Sequence, residues 1–264
     1  MQRNPDHIAI FGGSGAIGRA AAAAFARRGC AVSLFARDEG RLHAAAKEVR
    51  NGEDRPVVAS AVDVLDAVRL NQAVSDAVTG LGPLTAAVIA VSFPHDQGVL
   101  LQDLDEAAFI TPLDRFLRAQ FLVSRAVAPH LTRGGVVLSL STPIAKITAP
   151  GHLGYAATCA ATEAFSRNLA HELAAQGARA LCVRAHAISD APAAGSYTKE
   201  LFAPKAAAAN LTVDEWLAGA AQSTMTGTLP SLSEVGEVIA FLASTHARSM
   251  TGTVIDLTAG AIVS

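Results

Sequence analysis

Cysteine is scarce in this chain: three occur in 264 residues. Cys30, Cys159 and Cys182 are far apart, odd in number and never arranged as CxxC, so neither a disulfide framework nor a zinc site is indicated. Their ordinary role is that of small apolar residues in packed elements. Aromatic residues make up 5% of the chain, too few for a surface that stacks nucleic-acid bases. Neither sign of charge prevails. The 21 basic and 23 acidic residues leave a net charge of −2 and are interspersed, which gives no footprint for nucleic acid or an anionic membrane. Apolar runs stay short of the ~18 residues of a membrane span, and the polar opening Met1–His7 does not read as a signal peptide. The expected location is the cytoplasm.

What the chain does have is apolar content, 51% against 17% charged, enough for one sizeable core. Ile8–Phe11, Ala31–Phe35, Val57–Val62, Ala86–Val91, Val136–Leu140, Ala180–Ala185 and Thr253–Leu257 read as strands. Helical patterns alternate with them. One is alanine-rich and runs to about Arg28; another, which Asp38 can cap, carries Leu42, Ala45, Ala46 and Val49. Others open at Asp66, run from about Pro112 to Leu131, run from Tyr155 to Gly177, and span Ser233–Ser244. Repeated βα units predict a single α/β domain over residues 1–264. Its sheet is doubly wound, parallel and Rossmann-type, with about seven strands and right-handed crossovers. Residues 191–230 break the rhythm with Pro192, Gly195, Pro204, a run of alanines and Trp216. That stretch reads as a substrate lid or as a helical surface excursion.

Gly12-Gly13-Ser14-Gly15-Ala16-Ile17-Gly18 follows the first strand and opens the first helix. Residues without bulky side chains let a phosphate reach bare backbone N–H groups at a helix N-terminus, so Gly12, Ser14, Ile17 and Gly18 are candidate dinucleotide contacts. The string comes near the GxSxG nucleophile elbow, but Ala16 holds the last glycine's place and excludes that reading.

The spacing of Gly12, Ala16 and Gly18 resembles the TGxxxGxG turn of the short-chain dehydrogenase/reductase family, and the likeness extends over nearly the whole chain. The late helix LSEVGEVIAFLAS and the final strand MTGTVIDLTAG look like the family's own. The resemblance implies hydride transfer between a nicotinamide cofactor and a carbonyl or alcohol carbon. At the end of the second strand, where NAD-preferring members carry an acid, stand Ala36 and Arg37. A guanidinium suits a 2′-phosphate, so NADP(H) is favoured over NAD(H), although Arg37 also reads as a solvated surface residue. Asp63 and Val64 match the family's adenine-contacting pair, with Asp63 equally readable as a helix-opening residue. Ala90 lies in Ile89-Ala90-Val91-Ser92, which stands for the family's NNAG stretch beside the cofactor.

In the family a tyrosine exchanges the proton, a serine holds the substrate oxygen, and a lysine four residues after the tyrosine lowers its pKa. Tyr155 falls at the tyrosine's place and Thr142 at the serine's, with Ser141 beside it, making Tyr155 and Thr142 the candidate catalytic residues. Cys159 stands at the lysine position, Phe116 at that of the supporting asparagine, and Ala185-His186 replaces a PG turn. Lys146, His152, His95 and Arg184–His186 are candidates to compensate. His171-Glu172 begins like HExxH, but Ala175 stands where the second histidine would be, so no metal site follows. Two readings result. One is an NADP(H)-dependent oxidoreductase with an atypical active site; the other is a family member that binds a nucleotide or small molecule without redox turnover. The resemblance also implies a small-molecule substrate and a homo-oligomer, a tetramer or dimer, formed through the helices around Phe116–Leu131 and Tyr155–Gln176.

Overall fold

The computed structural model describes residues 6–50, 56–95 and 97–263. Seven strands form one sheet: β1 (His7–Phe11), β2 (Ala31–Ala36), β3 (Val57–Ala61), β4 (Leu84–Ile89), β5 (Leu131–Ser141), β6 (Arg179–Ala185) and β7 (Val254–Leu257). Their order is β3-β2-β1-β4-β5-β6-β7, and every neighbouring pair is parallel. The direction of winding reverses between β1 and β4, the place where open parallel sheets leave a crevice at their carboxyl edge.

Alternation along the strands builds two cores. Ile8 and Ile10 face one, against α1 (Ala16–Ala26), α2 (Glu39–Arg50) and α8 (Leu232–Ala243). Ala9 and Phe11 face the other, against α3 (Ala67–Leu81), α4 (Glu106–Val127) and α5 (Leu153–Ala174). A strand's side chains point to opposite faces in turn, so a sheet covered on both sides buries every position, as β1 does from His7 to Phe11. Phe11 stacks on Phe35 of β2 at 4.7 Å.

Two elements differ from the sequence expectation: β5, which begins at Leu131 rather than Val136, and the long helix before it, which ends at Val127. The long helix does not begin near Pro112. Asp105 caps it by accepting from the Ala107 and Ala108 N–H groups, and Pro112 lies inside α4. Proline is common in a helix's first turn, which made Pro112 look like the start, but here the ring is carried further in. Residues 191–230 contain α6 (Thr198–Ala208) and α7 (Val213–Gln222), so the stretch is helical, as one of its two sequence readings has it. These pack on each other around Phe202, Leu217 and Leu229. Pro204 inside α6 and the alanine run hide the helical period. Among the described residues, no helix is long and apolar enough to cross a membrane.

Candidate active site

The turn after β1 is shaped by close approach. Gly12 has φ +85°, and a Cβ there would lie 2.4 Å from the Ala90 carbonyl oxygen. A Cβ on Gly18 would lie 2.2 Å from the Gly12 oxygen. Both positions therefore exclude any side chain. The Gly12 and Gly13 N–H groups donate to Phe35 O, which ties the turn to β2. Gly15 caps α1 without a side chain to bond the first-turn amides, and no acid occupies that turn. The positive end of α1 and its amides thus face the carboxyl edge, with Ser14 and Ile17 partly buried beside them. This cradle fits a pyrophosphate.

Arg37 is exposed just beyond β2. The neighbouring Asp38 accepts the Arg41 N–H at 2.9 Å, so its carboxylate is committed to capping α2. Ser14, Arg19 and Arg41 line a hollow of about 240 Å³ alongside. Asp63 accepts the Leu65 N–H at 2.9 Å, a local turn bond consistent with the helix-opening alternative, while Val64 is buried in the second core. Ala90 N donates to Phe11 O at 2.8 Å and packs its carbonyl against Gly12.

At the same edge, β5 ends in Ser141 and Thr142 and faces the first turns of α5. The two hydroxyls part company. Ser141 is buried and donates to Glu163 Oε1 at 2.9 Å, whereas Thr142 Oγ1 lies 3.4 Å from Cys159 Sγ. Thr142 and Cys159 are both hydrogen-bonding neighbours of the Tyr155 hydroxyl. Burial pushes the Tyr155 phenol well above its ordinary value; the nearby Tyr197 and Cys159 add to this and Thr142 opposes it. Burial likewise raises the Cys159 thiol. It is therefore a neutral thiol that stands one helical turn after the tyrosine.

Aromatic rings enclose the tyrosine. His95 stacks on Tyr155 with centroids 3.8 Å apart and planes 8° from parallel. Phe116 approaches Tyr155 at 6.3 Å and packs edge-on to Phe93 at 5.2 Å. The place the resemblance gives to an asparagine is thus filled by an apolar ring beside Tyr155. Tyr197, from the stretch before α6, is exposed as a residue but tucks its hydroxyl in near Ser92 and Tyr155.

The candidates for compensation separate. Lys146 is exposed. His186 Nδ1 accepts the Ala187 N–H at 2.7 Å, and burial lowers its pKa. Arg184 is buried and binds Glu163 through two hydrogen bonds of 2.7 Å, with Asp256 of β7 as its second acid. His152 meets Lys205 of α6 at 3.1 Å, and Lys205 also donates to Gln97 at 2.6 Å. Tyr197, Lys205, Gln97, Glu163 and Asp256 were not read from the sequence. Tyr197 carried one signal, as the second of only two tyrosines in the chain. The other four carried none, since only the fold brings them to the site.

A family model described as enoyl-(acyl carrier protein) reductase matches residues 13–261. A short chain dehydrogenase of Pseudocercospora fijiensis is 32% identical over 74% of this chain, which spans 60% of that relative. Galactitol 2-dehydrogenase of Rhizobium johnstonii is 29% identical over 97% of this chain and 94% of its own. Among solved structures, an NADPH-bound short chain oxidoreductase from Pseudomonas aeruginosa PAO1, described as containing an atypical catalytic center, superposes with a TM-score of 0.85. Its identity is 23%, with 98% of this chain and 97% of that chain covered. The chain belongs to the short-chain dehydrogenase/reductase family of oxidoreductases.

Proposed function

We propose that this protein is an NADP(H)-dependent oxidoreductase of carbonyl and alcohol substrates that works chiefly as a carbonyl reductase. The observation that carries this is the meeting of the Tyr155 and Thr142 hydroxyls at the sheet's carboxyl edge, beside a cradle whose Gly12 and Gly18 leave no room for a Cβ. Gly12, Ser14, Ile17 and Gly18 would hold the pyrophosphate, Arg37 the 2′-phosphate, Asp63 and Val64 the adenine end, and Ala90 the nicotinamide side. When bound, the cofactor supplies or takes up the hydride. Thr142 donates a hydrogen bond to the substrate oxygen and orients it. Tyr155, kept protonated by burial, gives its proton to that oxygen as negative charge develops there. The phenolate left behind is stabilised by its Thr142 neighbour rather than by a cation, which makes the centre atypical for its family. Residues 191–230 close over the edge as a substrate lid, through Tyr197 and Lys205. We place the protein in the cytoplasm as a homo-oligomer.

The test is a titration with NADPH and, separately, NADH, followed by nicotinamide fluorescence. NADPH is expected to bind tightly and NADH much more weakly, with Arg37→Ala reducing the difference. Tyr155→Phe is then expected to abolish NADPH oxidation by a carbonyl panel while its NADPH affinity stays near wild type. Binding of neither nucleotide removes the redox reading.

A further inference from the structure

A second polar cluster stands at the mouth of the site. The loop after β4 meets the loop before α5 through a Gly98 N–H to Gly151 O bond of 2.7 Å. Those two loops place Gln97 and His152 side by side, and α6 lowers Lys205 between them. Its ammonium donates to Gln97 Oε1 at 2.6 Å and to His152 Nε2 at 3.1 Å. Among the described residues, no carboxylate pairs with it.

The hydrogen bonds fix the protonation around this ammonium. His152 Nδ1 lies 2.8 Å from Pro150 O, which can only accept, so the ring proton is on Nδ1 and Nε2 receives from Lys205. Lys205 likewise fixes the Gln97 amide, because its oxygen must face the ammonium. The Gln97 nitrogen then donates to His95 Nε2 at 3.2 Å, and His95 Nδ1 donates to Phe93 O at 3.0 Å. Every partner of Lys205 is uncharged, so a partly buried positive charge has hydrogen bonds but no counter-ion. That arrangement is costly unless an anion completes it. The three side chains Gln97, His152 and Lys205 are only partly buried, so a solute can reach them.

We propose that Lys205, with His152 beside it, is an anion subsite that takes a carboxylate or phosphate group of the substrate, opposite the carbonyl presented to Tyr155. The proposal rests on the carbonyl-reductase reading for the second half of that statement only. It names the substrate class: an oxo compound with an oxyanion group further along its chain.

Trp216 makes the subsite observable without turnover. It is the one tryptophan of the chain, and the Lys205 ammonium lies 6.0 Å from its ring centroid. Tryptophan emission is to be followed at constant ionic strength during titration with inorganic phosphate, and with keto acids of increasing length beginning with 4-oxopentanoate and their methyl esters. A saturable response to a keto acid or to phosphate is expected, absent with the esters. It should be lost in Lys205→Met and kept in Lys199→Met, which removes an exposed lysine of the same helix. Which anion responds decides between carboxylate and phosphate. Silence toward both anions, or an undiminished response in Lys205→Met, overturns the subsite.

In the NADPH assay, the preference for acid over ester in kcat/KM should fall about 10- to 100-fold in Lys205→Met, the scale of one hydrogen bond to a charged group. A fluorescence response without any NADPH oxidation leaves the subsite standing and removes the reductase reading. Equal turnover of acids and esters with silent fluorescence does the reverse.

Discussion

In the proposed mechanism, the residue on which the chemistry turns is Cys159. A lysine four positions after the tyrosine would place a cation on the same helix face and favour the phenolate. The thiol that stands there is buried and neutral, and the Tyr155 phenol is pushed up rather than down, first by burial and then by Tyr197 and Cys159. A raised phenol pKa means that the protonated form, the proton donor for carbonyl reduction, persists through neutral pH. It is lost only above the ordinary value of ~10. The opposite reaction needs the phenolate and is starved of it. In wild type, kcat/KM for reduction should therefore show no tyrosine-dependent fall between neutral pH and about pH 9. Cys159→Lys should move that fall down into the measured range and raise alcohol oxidation at alkaline pH by about 10²–10³-fold, the usual scale of electrostatic support at such a site. An unchanged profile in Cys159→Lys would show that the thiol does not set the tyrosine's state.

At the scale of elements, the carboxyl ends of β5, β6 and β7 are fastened to α5 by one buried charge cluster. Arg184 is 1% exposed near the carboxyl end of β6, and Glu163 of α5 is 4% exposed. Ser141 Oγ donates to the same Glu163 oxygen that receives Arg184 Nε, so the acid that neutralises the guanidinium also holds the residue before Thr142. Removing one partner strands the other in the core. Glu163→Ala is expected to destabilise the protein by about 3–5 kcal/mol, read from the denaturant midpoint. Asp256→Asn, at a partly exposed acid, should cost less. No sequence pattern announced this cluster, because its members lie 21 and 72 positions from Arg184 and meet only in the folded sheet. Local signals were legible where the partner is local. The apolar run of β1, the glycine turn after it and the Asp38 and Asp66 caps were all read correctly. Thr142 and Tyr155 were placed by their spacing. Lys205 and Gln97 were invisible for the reason that hid Glu163, and the start of α4 was misplaced because Pro112 outweighed a better cap at Asp105.

For the molecule as a whole, the two cores leave one apolar stripe without cover. Ile110 is 47% exposed and Phe121 49% exposed on α4. They lie eleven residues apart, about 20° around a helix of 3.6 residues per turn, so they share one outer line. Between them runs the Asp114–Arg118 pair, and Arg125 lies 5.2 Å over the Phe121 ring. Large exposed rings framed by charge are the composition of an interface rather than of a solvated face. The α5 helix beside α4 is alanine-rich and lets another helix approach closely. The family resemblance assigns these two helices to pairing with another copy, and the stripe is where that pairing has something to bury. A stable interface needs about 800 Å² from each partner, more than two side chains supply, so α4 and α5 must both contribute. Light scattering behind gel filtration is expected to give a dimer or tetramer for wild type. Phe121→Glu should shift it toward the monomer, because it would bury a carboxylate in a seam closed by apolar side chains. If Tyr155 chemistry is confined within one subunit, the dissociated variant should still oxidise NADPH. A monomeric wild type would mean that the stripe on α4 serves no pairing of this chain with itself.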